Sequence, residues 1–178
     1  MSAPEIHESR YMSDAEALMW TAEKDPWLSS GMGSLFLLDQ NLDFERLRSK
    51  MAAAVKTMSR LREMVDEGSG IAPPRWVVDP HFNLDEHVRH VRLPEGGGLR
   101  AILDLTAQIF QDPFDPNRPL WQFVAVDADG VDGVNGALIL KLHHSVSDGI
   151  GAIRLAEIYM DFERSPVCLL YTSDAADE

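Results

Sequence analysis

Between residues 13 and 58 the apolar positions return every three or four residues in two blocks, separated by a short unbroken apolar run. In the first block Ala15, Leu18, Met19 and Ala22 fall at i, i+3, i+4 and i+7, the spacing of one helical face. Ser13-Asp14-Ala15-Glu16 opens it with the layout of a capping box, Ser13 as N-cap and Glu16 reaching back, and Pro26 is expected to close it. The run 35–38, closed by Asp39-Gln40-Asn41, has the length of a strand. Phe44, Leu47, Met51, Ala54, Val55 and Met58 then form a second helical stripe, with Arg46, Arg48, Lys50 and Lys56 on the other side as a solvated face.

Further on the period changes more often. Gly68-Ser69-Gly70 and Pro73-Pro74 mark loops around a strand expected at 75–78, and a second extended stretch is expected over 82–93. Pro94-Glu95-Gly96-Gly97-Gly98 reads as a flexible turn; it lacks the Gly-Lys-Ser/Thr ending and preceding buried strand of a phosphate loop. Leu99, Ile102, Leu103, Thr106, Ile109 and Phe110 predict a third helix ended by Asp112-Pro113, and the prolines of 114–119 exclude helix or central strand. Runs at 120–126 and 136–142, joined through Asp129-Gly130 and Asp132-Gly133, read as an antiparallel hairpin, and 150–162 as an amphipathic helix. There is no repeat and no strict βαβ alternation, so the expected fold class is α+β: a mixed, largely antiparallel sheet with packed helices.

Composition narrows the class. The 178 residues are 45% hydrophobic and 25% charged, which suits a soluble globular chain of one domain. A formal charge of -13 argues against nucleic acid as partner and against a polybasic grip on anionic lipid, so any lipid contact would be apolar. No apolar run approaches the roughly 18 residues needed to cross a bilayer, and the N-terminus lacks a secretory layout, so a cytoplasmic location is expected. The single Cys168 excludes an internal disulfide framework and a multi-cysteine zinc site.

The candidate chemistry lies in His143-His144-Ser145-Val146-Ser147-Asp148-Gly149, between the second hairpin strand and the last helix. Neighbouring strand residues point to opposite faces, so His143 and His144 should have different roles. One can face a cleft while the other is a buried, hydrogen-bonded core residue. A neutral imidazole at a cleft can accept a proton near neutral pH. No metal is expected, since His81, His87 and His90 could join the pair only through tertiary proximity. Asp148 can serve as N-cap of the following helix or as partner of an arginine, and Gly149 allows close approach of substrate or backbone.

The pattern His143-His144-x-x-x-Asp148-Gly149 is similar to the signature of the CoA-dependent acyltransferase superfamily, which includes chloramphenicol acetyltransferases and peptide-synthetase condensation domains. Three further stretches narrow it: Met12-Ser13-Asp14-Ala15 with Trp20; the segment 75–88 from Arg75-Trp76 to His87-Val88; and Arg118-Pro119-Leu120-Trp121. Together, over about residues 11–164, they resemble the bacterial wax ester synthase/acyl-CoA:diacylglycerol acyltransferase family. The resemblance implies one half of a chloramphenicol-acetyltransferase-like two-domain fold. It also implies transfer of a fatty acyl group from acyl-CoA, as co-substrate and without a further cofactor, to a lipid alcohol, giving triacylglycerol or wax ester. His144 would be the general base, His143 supporting and Asp148 orienting. Gly149 would leave room for substrate, and Pro119, Leu120 and Trp121 would form a structural element. Peripheral contact with a membrane or lipid droplet follows from such a substrate.

In that family the histidine motif lies between two halves, and this chain carries the first. The expected plan is a disordered 1–12, an N-terminal acyltransferase domain over 13–165 and a non-native tail over 166–178, with the C-terminal domain absent. Such a truncated form should be inactive alone and should self-associate through the apolar wall left open. Two other readings stand beside it: a non-catalytic, inert half-domain, and a condensation-like acyltransferase using carrier-bound acyl groups.

Overall fold

The computed structural model describes residues 11–161 apart from 26, 69–71 and 148. In order the elements are α1 (Asp14–Ala22), β1 (Gly31–Leu38), α2 (Phe44–Thr57), β2 (Glu63–Asp66), β3 (Arg75–Val78), α3 (Leu84–His87), β4 (Val88–Arg92), α4 (Leu99–Gln111), β5 (Trp121–Asp127), β6 (Gly136–His143) and α5 (Gly149–Tyr159). The expected Asp148 contacts, the closing role of Pro26, the N-terminal segment 1–10 and the tail from 162 lie outside the described residues.

A four-stranded sheet in the order β1-β6-β5-β4 carries the fold. β6 runs antiparallel to both neighbours, with Gly31 opposite His143 on one side and Trp121 opposite Leu142 on the other, while β4 lies parallel to β5. The sheet is thus mixed and largely antiparallel, as the hydrophobic pattern predicts. β5 and β6 are apolar on both faces because both faces are covered. Trp121, Phe123, Ala125, Leu138 and Leu142 join a core with α2, Trp20 of α1 and Leu155 of α5. Val124, Val126, Ala137 and Ile139 pack with Ile102 and Ile109 of α4 on the other face. Gly33 of β1 makes room for α4: a Cβ there would stand 2.3 Å from Cζ of Phe110 and 2.0 Å from the Leu140 carbonyl oxygen. β2 and β3 form a separate antiparallel pair, Glu63 opposite Val78.

Several local expectations need correction. The capping box forms, with Ser13 Oγ accepting from Glu16 N and Glu16 Oε2 accepting from Ser13 N at 2.7 Å, but α1 buries a different face from Ala15-Leu18-Met19-Ala22. Leu18 is 70% exposed, whereas Met12 and Trp20 are buried, because the indole reaches the core and donates to Glu67 Oε1 at 2.7 Å. The stretch 82–93 is not extended throughout: Asn83 caps the single turn α3 by accepting from Asp85 N, and only then does β4 begin. β2, short and half polar, has no sequence signal of its own and is a strand through its pairing with β3. The cations of α2 are not merely solvated, since Arg46 and Lys50 pair with Asp161 at 3.0 and 2.6 Å, and Arg48 with Asp85 at 2.7 Å.

This burial pattern sets unequal costs along one helix. Trp20→Ala should destabilise by about 3–5 kcal/mol, the range for emptying a large aromatic site. Leu18→Ser should stay within about 0.5 kcal/mol. Urea denaturation of both variants checks the assignment, and equal losses would mean that Leu18 is buried as Trp20 is.

Candidate active site

β6 ends at His143 and the chain turns at once, so the two histidines part. His143 is 1% exposed, while His144 is exposed. Each stands beside a different open cleft, His143 almost wholly covered by the residues around it and His144 open to the space. That of His143, about 1210 Å³, includes Trp20, Glu23, Phe114 and Lys141; that of His144, about 1120 Å³, includes Glu16, Met58, Ser147 and Arg154. The turn is held from both flanking strands: His143 N–H donates to the Leu120 carbonyl just before β5 and His144 N–H to the Ser30 carbonyl just before β1, each at 2.9 Å.

His143 is locked by its surroundings. The Ser145 amide donates to its Nδ1 at 3.1 Å and the Ser145 hydroxyl lies 2.6 Å from the same atom. A backbone N–H can only donate, so Nδ1 accepts, and a neutral ring carries its proton on Nε2. Nε2 faces Glu23 Oε2 at 3.5 Å, an electrostatic contact longer than a good hydrogen bond. Trp20 and Phe114 stand edge-on to the ring, each 6.2 Å away between centroids. Burial pushes the imidazole below the ordinary histidine range, and the Glu23 carboxylate opposes that shift.

Lys141, one strand step before Leu142, is buried and reaches the C-terminal end of α4, donating to the carbonyls of Ile109, at 2.9 Å, and Asp112. Its ammonium also lies 4.4 Å from the centroid of Phe114. Burial lowers its pKa, with Asp112 and Glu23 acting the other way. A lone charge inside an otherwise apolar strand was a signal available in the sequence. Glu23 and Ser30 offered none, since they reach the histidines only through tertiary contact.

The segments that carry the family resemblance meet behind the turn. Pro119, Leu120 and Trp121 are all buried, and Trp121 Nε1 donates to the Leu61 carbonyl at 2.9 Å. His87 Nδ1 donates to the Trp121 carbonyl at 2.8 Å, and its ring stacks between Trp121 and Phe82. Arg118 binds the buried Asp79 at 3.2 Å and donates to the His81 carbonyl at 3.0 Å. His90 is elsewhere, stacked on Phe44 and 3.0 Å from Asp127. Among the described residues no group of three or more His, Cys, Asp or Glu side chains stands together as a metal site, and no helix is long and apolar enough to cross a membrane. Gly149 opens α5.

A mixed sheet with helices packed on both faces and adjacent histidines at a central strand end, one buried and one exposed, describes the fold. The wax ester synthase/diacylglycerol acyltransferase from Marinobacter aquaeolei VT8 shares this fold with a TM-score of 0.57 at 23% identity, over 82% of this chain and 37% of that one. So does the starter condensation domain of rhizomide synthetase solved in complex with C8-CoA, with a TM-score of 0.67 at 13% identity, over 84% of this chain and 34% of that one. The chain belongs to the wax ester synthase/diacylglycerol acyltransferase catalytic domain family, whose model matches residues 9–174. A candidate diacylglycerol O-acyltransferase of Mycobacterium tuberculosis is 42% identical over 170 residues, covering 91% of this chain. The chain spans 34% of the length of that curated relative.

Two buried histidines with lowered pKa values, His143 and His87, both through burial, tie stability to pH. The unfolded chain takes up protons near pH 6.5 that the folded imidazoles refuse. Their contribution is therefore complete above about pH 6.5 and lost as the pH falls from there through the folded pKa. Denaturation midpoints should drop across this window, and His87→Phe, which keeps the stacking without a titrating ring, should flatten the profile. An unchanged slope in that variant would count against this origin.

Proposed function

We propose that this chain carries the histidine-bearing part of an acyl-CoA-dependent O-acyltransferase that moves a fatty acyl group to a lipid alcohol, forming triacylglycerol from diacylglycerol or wax ester from a long-chain alcohol. The observation that carries the reading is the division of labour between adjacent rings, His143 sealed into the core and His144 open to a cleft. Membership of the family supports the reaction class.

In this reading the alcohol oxygen attacks the thioester carbonyl carbon. A C–O bond forms, the C–S bond breaks, and the hydroxyl proton passes to His144 and on to the departing thiolate. An unassisted alcohol is a weak nucleophile, so a base placed beside it matters. His143 supports the turn, and its neutral, hydrogen-bonded ring keeps a second charge away from the base. By their places in the motif, Asp148 orients the turn and Gly149 leaves room for substrate. The clefts beside both rings have apolar and polar walls together, which suits an acyl chain with a polar reacting end. A substrate of this kind would bring the protein to the surface of a membrane or lipid droplet.

Thiol release from palmitoyl-CoA, with dioleoylglycerol or hexadecanol as acceptor, tests this in the intact protein. His144→Ala should lower the rate about 10²- to 10⁴-fold, the usual contribution of a general base, while leaving the fold in place. An undiminished rate would remove His144 from the mechanism. Turnover only with a carrier-bound acyl donor would place the enzyme with condensation domains instead.

A further inference from the structure

Glu23 stands at the C-cap of α1, where the helix carries partial negative charge and a carboxylate is unfavourable for the helix itself. Its contacts lie away from the helix. Oε2 accepts from the Ser30 amide at 2.5 Å and faces His143 Nε2 at 3.5 Å, and Oε1 lies 3.4 Å from the Ser29 hydroxyl. Ser30 also donates through its hydroxyl to the Met19 carbonyl, at 3.2 Å. The carbonyl of the same Ser30 holds the His144 amide. A single residue thus links the carboxylate to the backbone of the exposed histidine, just beyond the last β1–β6 pair, Gly31 opposite His143.

We propose that Glu23 is a positioning residue for this active site, fixing His144 through Ser30 and the neighbouring His143 ring through its Nε2. The proposal rests on the reading of His144 as the base. Without an acceptor at position 23, the Ser30 amide loses its hydrogen bond and the buried Nε2–H loses the carboxylate that faces it, so the 29–30 segment, then tied only through the Ser30 hydroxyl to Met19 among these contacts, can shift. The Ser30 carbonyl shifts with it, and so does the backbone from which His144 projects. A misplacement on the order of 1 Å is enough to cost about 10²-fold in rate without weakening substrate binding.

The test compares three variants of the intact protein with the same thiol-release assay. Glu23→Leu keeps the side-chain bulk but has no acceptor, Glu23→Gln keeps one acceptor oxygen, and Glu23→Asp keeps the charge on a shorter arm. Glu23→Leu is expected to lower kcat by about 10- to 100-fold, with KM for palmitoyl-CoA within about twofold of the parent. Glu23→Gln should recover kcat to within about threefold. If Glu23→Leu does not fold, Glu23→Asp carries the same expectation of lower kcat at unchanged KM.

A kcat unchanged in Glu23→Leu, or in Glu23→Asp where Leu does not fold, overturns the proposal. So does a Glu23→Gln variant as impaired as Glu23→Leu, since charge and not the hydrogen bond would then be at issue. His144→Ala separates the two levels. Full activity in that variant sinks the general-base reading, whereas its inactivity beside fully active Glu23 variants sinks the positioning role alone.

Discussion

The arrangement depends on β6 being paired on both edges, with β1 up to His143 and with β5 up to Leu142. A strand hydrogen-bonded to β1 and β5 along its length cannot shift register without turning every side chain to the wrong face. With apolar residues packed on both faces such a shift would be costly. The strand therefore ends at a defined place, and the residue at that end is His143. Beyond it the chain must turn, and the turn is tied to the Leu120 and Ser30 carbonyls on its two sides. The exposed His144 owes its position to this frame more than to contacts of its own ring.

Burial of polar groups gives the frame its specificity. Lys141, His143, His87 and Asp79 all lie inside the protein, and a buried polar group without a partner is costly. Each has a particular partner: α4 carbonyls for Lys141, Ser145 for His143, the Trp121 carbonyl for His87 and Arg118 for Asp79. These contacts join α4, α3 and the approach to β5 to the central hairpin. The stretches 75–88 and 118–121, distant from the histidines in sequence, brace the strand that supports them, and they meet through the stacked His87 and Trp121 rings and through Arg118 with Asp79.

Much of the architecture was legible because local rules and tertiary packing agree. The capping box at Ser13, the stripe of α2, the α4 pattern and the hairpin of β5 and β6 all follow from periodicity and turn residues, and the mixed, largely antiparallel character of the sheet followed from the mixing of strands and helices along the chain. Where local and tertiary demands part, the sequence misled. Leu18 belongs to a good helical stripe yet faces solvent, because the bulk of Trp20 decides which side of α1 meets the core. The segment after Phe82 is extended only from Val88, because Asn83 starts a turn of helix that brings His87 against Trp121.

By itself the sequence determined the elements, the mixed character of the sheet and the strand end at which two histidines stand, because hydrophobic period and turn chemistry act over a few residues. It also determined that adjacent rings on a strand must diverge. Only the tertiary structure decided which ring is sealed and which is open, since that depends on Trp20, Phe114 and Ser145 closing around His143. The link from Glu23 through Ser30 to His144 was likewise invisible. It joins residues 23 and 144 through hydrogen bonds that exist only once α1, β1 and β6 have come together.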